Sequence, residues 1–213
     1  MPGLVPGIHV FIRCRKKGVD GRDKPGHDAS GKALSMARVA LIQEQDHPEL
    51  AEAIEKYRSG RRGKLINVYR MLLNSPPLAE SWFNHSNAVR WKTTLSGRLR
   101  EIVIIRMGHL TNSQYVLRQH VPALALAEGL TLEECSELQD WQTSGRLSDS
   151  ERAALAYADT MTRDIVVPDP VFDEVKKHFN DREIVELTVL IGSYNMNARV
   201  MQALRLDLEP LDP

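Results

Sequence analysis

From Met36 to about Met201 apolar residues recur at steps of three and four, and short breakers separate the recurrences, which predicts a succession of amphipathic helices. His47-Pro48 opens a run through Ile54 and Tyr57 that ends near Ser59-Gly60. Lys64 to Leu73 follows, with Leu65, Val68, Tyr69 and Leu72 on one side. Ser75-Pro76 offers a hydroxyl cap and then a residue with no amide to leave unpaired, so a helix is expected from Leu78 to about Trp91. Ser96-Gly97 breaks the chain again. Further on, Thr131-Leu-Glu-Glu134 and Ser148-Asp-Ser-Glu151 both fit the capping box, in which a hydroxyl and a carboxylate three residues apart satisfy each other's backbone amides. Asp169-Pro170 starts another helix. Asn180-Asp-Arg-Glu183 begins the last, whose apolar positions are Ile184, Leu187, Ile191, Tyr194, Ala198 and Met201. Only Ile102-Val103-Ile104-Ile105 would read as a strand in isolation, so the pattern predicts an all-α chain built on one core.

The stretch Arg98 to Gly129 breaks the pattern in an informative way. Two apolar helical runs each carry an ionisable group on the apolar side. Glu101 shares a side with Ile104, Ile105 and Gly108, and His120 shares one with Val116, Leu117, Ala123, Leu124 and Ala127. A carboxylate or imidazole in such a place must be paired or shift its pKa, because burial disfavours the charged form. Glu101 and His120 are therefore the first candidates for chemistry, although the same pair could serve only to fix how two helices cross. In the last helix Asn195, Asn197 and Arg199 interrupt an apolar face, and Tyr194, Asn197 and Arg199 either face a pocket or tie the helix to the core. Trp82, Phe83 and Trp91 read first as core or interface aromatics. His109, just before Thr111-Asn112, reads as a helix-end cation.

Composition narrows the classes of function. The 213 residues hold 28 Lys and Arg against 28 Asp and Glu, which gives no reason to expect a nucleic-acid partner. The two cysteines, Cys14 and Cys135, lie in unlike segments, so no structural disulfide is expected and a reducing cytoplasm is the simplest setting. No apolar run approaches the roughly 20 residues of a spanning helix, and Pro2, Gly3, Pro6 and Gly7 spoil a signal-peptide core, so no membrane partner is expected. No pair of His and carboxylate residues repeats a zinc or di-iron spacing, and no metal site is expected. Residues 1–35 combine frequent Gly and Pro with clustered charge and no period, which predicts a disordered extension. That segment also resembles the translation of a dispersed repeat element found ahead of proteobacterial reading frames, which would place the native start at Met36 and leave 36–213 as the folded domain.

Three blocks, RLREIVIIRMGHLTNSQYVLRQHVPALALAEGL, SDSERAALAYADTMTRD and DREIVELTVLIGSYNMNARVMQAL, resemble the carboxymuconolactone decarboxylase family, also called alkylhydroperoxidase-D-like. The resemblance implies an all-α helical bundle that assembles as a homo-oligomer, commonly a trimer or hexamer. Peroxidase-type members carry Cys-x-x-Cys followed after three residues by His, with a Glu one helix earlier. Here His120 and Glu101 match, but Ser113 and Val116 stand where the cysteines would be. A hydroxyl and an isopropyl group form no thiolate or disulfide, so cysteine-based hydroperoxide reduction is not expected. What remains is acid–base chemistry without a cofactor: decarboxylation or a related conversion of a small unsaturated acid or lactone, with Glu101 and His120 moving the proton. Ser113, Tyr115 and Arg106, with Tyr194 and Asn197, are the expected substrate-binding residues. A non-catalytic oligomeric binding protein is the other reading. An enclosed pocket holding both Glu101 and His120 favours the enzyme, and tight packing without a cavity favours the binding protein.

Overall fold

The computed structural model describes residues 36–61 and 63–209; the expected extension over 1–35 lies outside the described residues. Among those described, the chain is helical and no strand occurs, as the apolar periodicity predicts. The helices are α1 (Ala51–Ser59), α2 (Asn67–Leu72), α3 (Pro76–Trp91), α4 (Gly97–Leu110), α5 (Gln114–His120), α6 (Leu132–Glu137), α7 (Asp149–Arg163), α8 (Asp169–His178) and α9 (Asp181–Ala203).

The starts of α6, α7 and α9 are the expected capping boxes, at Thr131/Glu134, Ser148/Glu151 and Asn180/Glu183. Other boundaries differ. Helix α3 starts at Pro76, and the Ser75 side chain makes no cap bond. Helix α8, by contrast, begins at Asp169 as expected, with Pro168 as its cap residue. Ser96, read as a breaker, accepts from the Leu99 amide and so starts α4. The run from Lys64 is helical only from Asn67, and its core face is Val68, Tyr69 and Met71, with Leu73 just beyond.

Helix α4 is the hub. Ile102, Val103, Ile104 and Ile105 are fully buried in sequence, which is why they mimic a strand: this helix is covered on every side rather than along one stripe. One side joins α7, α8 and α9 through Val103, Ile104, Leu187 and Leu190. The opposite side carries Ile102 and Ile105 to Leu138, Trp141 and Leu155. A separate aromatic cluster, Tyr57, Tyr69 and Phe83, knits α1, α2 and α3, with ring centroids 4.9 to 5.7 Å apart.

The turn after α4 folds α5 back along it. Asn112 takes a positive φ of 50° there, a conformation its short polar side chain tolerates. At Gly108 a Cβ would lie 2.7 Å from Leu117, so the missing side chain lets the two helices approach. This antiparallel return carries His120, at the end of α5, to Glu101, in the first half of α4. After His120 the chain runs through a π-helical turn, Val121–Ala125, holding Pro122, which has no amide to donate. The wider turn alters the expected register: Ala123 and Ala127 are exposed, Leu124 lines the cavity as expected, and Ala125 is buried.

Candidate functional site

Glu101 and His120 meet as their placement requires. The His120 Nδ1–H donates to Glu101 Oε2 at 2.7 Å, and the side chains are 7% and 2% exposed. This bond fixes the ring. With the proton on Nδ1, Nε2 of a neutral imidazole turns its lone pair toward the Tyr194 hydroxyl, 3.1 Å away. Burial tends to raise the Glu101 carboxyl, but the charge and hydrogen bond of His120, then Arg90 and Arg100, outweigh it and hold the group below the ordinary carboxylate range. Burial, partly opposed by Arg90, drives the Tyr194 hydroxyl far above its ordinary value, so it stays protonated and able to donate.

The imidazole borders a partly open cavity of about 230 Å³ lined by α2, α3, α5, the π-helical turn and α9. For scale, a cavity of ~150 Å³ takes benzene, so this one suits a ring with one or two substituents. Its apolar wall comprises Val68, Trp82, Val89, Leu124 and Met201, and its polar groups are Arg61, Arg90, Tyr115, Gln119, His120, Tyr194 and Asn197. Glu101 does not line it. The carboxylate lies behind the imidazole, so the expected enclosed pocket holding both groups is not what forms: the cavity is partly open and His120 alone of the pair lines it.

The expected binding residues divide. Tyr115, Tyr194 and Asn197 reach the cavity with His120. Tyr115 donates to Glu209 Oε1 at 2.6 Å, and Glu209 also accepts from Gln119, so a residue near the C-terminal end steadies two wall side chains. Ser113 and Arg106 are not at the cavity. Ser113, buried at the start of α5, accepts from the Val116 amide as a helix cap. Arg106 forms a two-pronged pair with Asp159, both contacts at 2.6 Å, and donates to the Leu138 and Gln139 carbonyls. Four of its five N–H donors hold α4 to α7 and to the turn after α6, away from the cavity.

Arg90 stands where a binding role was expected of Arg106. It lies at the end of α3, lines the cavity, and has two buried nitrogens, Nε and Nη2, without a hydrogen-bond partner. Glu101 Oε1 is 3.9 Å from Nη2, an ion-pair distance beyond hydrogen bonding, and the guanidinium stacks 4.6 Å from the Trp91 ring centre. The sequence shows Arg90 only as a basic residue at the end of an amphipathic helix; its fractional burial comes from α4 and Trp91 closing over it. Trp82 and Trp91 prove to be cavity residues, while Phe83 belongs to the core. His109 donates to the Cys135 carbonyl at 3.1 Å. Cys135 is buried, and burial followed by the charges of Glu134 and Glu101 pushes its thiol above the ordinary range, the reverse of what a reactive thiolate needs. Among the described residues no three His, Cys, Asp or Glu side chains gather as a metal site, and no helix is long and apolar enough to cross a membrane.

Comparison with known proteins agrees with this fold. Residues 76–160, the segment containing Arg90, Glu101 and His120, match the carboxymuconolactone decarboxylase family. The uncharacterized protein YnjA of Escherichia coli K12 is 28% identical over 127 residues, spanning 57% of this chain and 67% of that one. A protein of unknown function from Agrobacterium tumefaciens, grouped by name with the antioxidant defence protein AhpD, is 25% identical with a TM-score of 0.62, over 67% of this chain and 97% of its own. Two more distant structures share the fold. One is a peroxidase-related protein with an AhpD core from Ralstonia eutropha JMP134, at 16% identity and TM-score 0.72, over 83% of this chain and 94% of its own. The other is the debrominase Bmp8 in complex with 2,3,4-tribromopyrrole, at 18% identity and TM-score 0.68, over 81% of this chain and 94% of its own.

Proposed function

We propose that this protein is an acid–base enzyme of the decarboxylase type, converting a small unsaturated acid or lactone by proton transfer at His120 without a redox cysteine. The observation that carries the reading is the His120 ring itself, tied to a buried carboxylate through Nδ1 and bordering a cavity beside Tyr194 through Nε2. Removing a proton from carbon next to a carbonyl transfers that C–H electron pair into an enolate and makes His120 an imidazolium. Glu101 stabilises the cation so formed. In an isomerisation the proton then returns to a different carbon and the imidazole is neutral again; in a decarboxylation the C–C electron pair left by departing carbon dioxide forms the enolate directly, and protonated His120 gives that carbon a proton and regains one from water. The Tyr194 hydroxyl can donate to the developing oxyanion, since burial keeps it protonated. That the AhpD-like fold of Bmp8 holds a flat five-membered ring in its complex with 2,3,4-tribromopyrrole supports a ligand of similar size here.

A thiol peroxidase function is disfavoured by the same geometry, because Ser113 and Val116 occupy the cysteine positions and Cys135 is in the core. Assembly into a homo-oligomer, with a cytoplasmic setting, belongs to the proposal. Val185, Val189 and Met196, exposed on one side of α9, support the assembly. The test is a panel of lactones and unsaturated acids, assayed beside hydroperoxides with a thiol reductant, using wild type and His120→Gln. Turnover of an acid or lactone that is lost in H120Q is expected. Thiol-dependent hydroperoxide reduction, or full activity of H120Q, would overturn the reading.

A further inference from the structure

We infer that Arg90 is the residue that recognises the ligand's anionic group, so that the cavity selects a small planar carboxylate over its neutral counterpart. The inference rests on the proposed function for the identity of the reacting group, His120, but concerns binding alone. Two observations meet here. First, the cavity is electrostatically one-sided: Arg61, Arg90 and His120 line it, and among the described residues no Asp or Glu does. In a chain with 28 basic and 28 acidic side chains that segregation is local, and a cation-lined, partly apolar space concentrates anions. Second, the two cations differ in availability. Arg61 already donates to the Gly60 carbonyl, Asn87 and the Tyr69 hydroxyl, at 2.6 to 2.9 Å. Arg90 has buried Nε and Nη2 donors with no acceptor, and its nearest carboxylate, Glu101, is held by His120 at 2.7 Å and lies 3.9 Å away. Arg90 borders the cavity, and because its Nε and Nη2 meet no protein acceptor the guanidinium can turn its planar fork to a carboxylate there.

The placement also bears on chemistry. A group gripped by a guanidinium is stabilised as an anion, so the carboxylate at Arg90 is the one that stays on the product. The reacting carbon then lies toward His120, and the apolar wall of Val89, Trp82 and Leu124 takes the remainder of the molecule.

Isothermal titration of the full chain with benzoate and with benzamide, which match in shape and differ in charge, tests the assignment. Wild type is expected to prefer benzoate, and Arg90→Gln to lose about 10- to 100-fold in benzoate affinity, the range for a hydrogen bond to a charged group, with benzamide little changed. Arg90→Lys should restore part of the preference. His120→Gln should keep it, so that failure of the proton-transfer reading leaves this result standing. Equal affinity of wild type for the two probes overturns the inference even if R90Q does not fold; so does an undiminished benzoate preference in folded R90Q.

Discussion

Replacing Glu101 by Gln removes one charge from the interior while keeping the shape and a hydrogen-bond acceptor for His120. The structure sets the size of the effect. The pair is 2.7 Å long with both side chains almost fully buried, and Arg90 at 3.9 Å loses its nearest counter-charge. Because Gln can still accept from Nδ1, a loss of about 1–1.5 kcal/mol at pH 7 is expected, the difference between a charged and a neutral hydrogen bond. The pH dependence isolates the cause. Glu101 titrates below the ordinary value of 4.5, so its contribution is complete above that pH and disappears as the pH falls through the lowered native value. Urea unfolding at pH 7 should therefore show E101Q less stable than wild type, and the gap should narrow steadily below pH 4.5. A gap of the same size at pH 7 and pH 3, or no gap at pH 7, would refute the charge-based account of this pair.

Other outcomes follow from the same contacts. Tyr194→Phe removes the hydroxyl at His120 Nε2 and should lower turnover by about 10- to 100-fold with little change in melting temperature; an unchanged kcat excludes that hydroxyl from the reaction. Asp159→Ala strands Arg106 in the core and should cost about 3–5 kcal/mol in a denaturant titration, whereas the apolar pair Arg106→Met with Asp159→Leu should recover much of the loss. A single-variant loss below about 1 kcal/mol would show the pair to be unimportant. Glu209→Gln weakens the bonds to Tyr115 and Gln119 and should raise KM for the substrate more than it lowers kcat, as steady-state rates would show. Cys135→Ser should leave turnover intact, as steady-state rates would show, its thiol being buried in the core and not lining the cavity.

The helices and the central pair were legible because periodicity and capping are local. Thr131, Ser148 and Asn180 mark helix starts with side chains that reach only three residues. Glu101 and His120 stood out because an ionisable group on an apolar face is costly wherever it lies. The assignment of Arg106 to a ligand failed for a non-local reason: its partner, Asp159, is on α7, and only the packing of α7 on α4 brings the two carboxylate oxygens to its donors. Arg90 is the converse case, a residue made significant by the absence of an acceptor once α3 and α4 are packed. Ala123 and Ala127 were misplaced because a helical wheel assumes a constant turn, and the π-helical turn at Pro122 breaks that assumption.

The most direct test of the account is exchange of substrate carbon-bound protons with D₂O, followed by proton NMR on the panel of unsaturated acids and lactones. Wild type and C135S are predicted to wash deuterium into the position next to the carbonyl of a bound ligand, and H120Q is predicted not to. Exchange that survives in H120Q, or that depends on Cys135, would contradict the claim that a carboxylate-backed imidazole is the working group of this cavity.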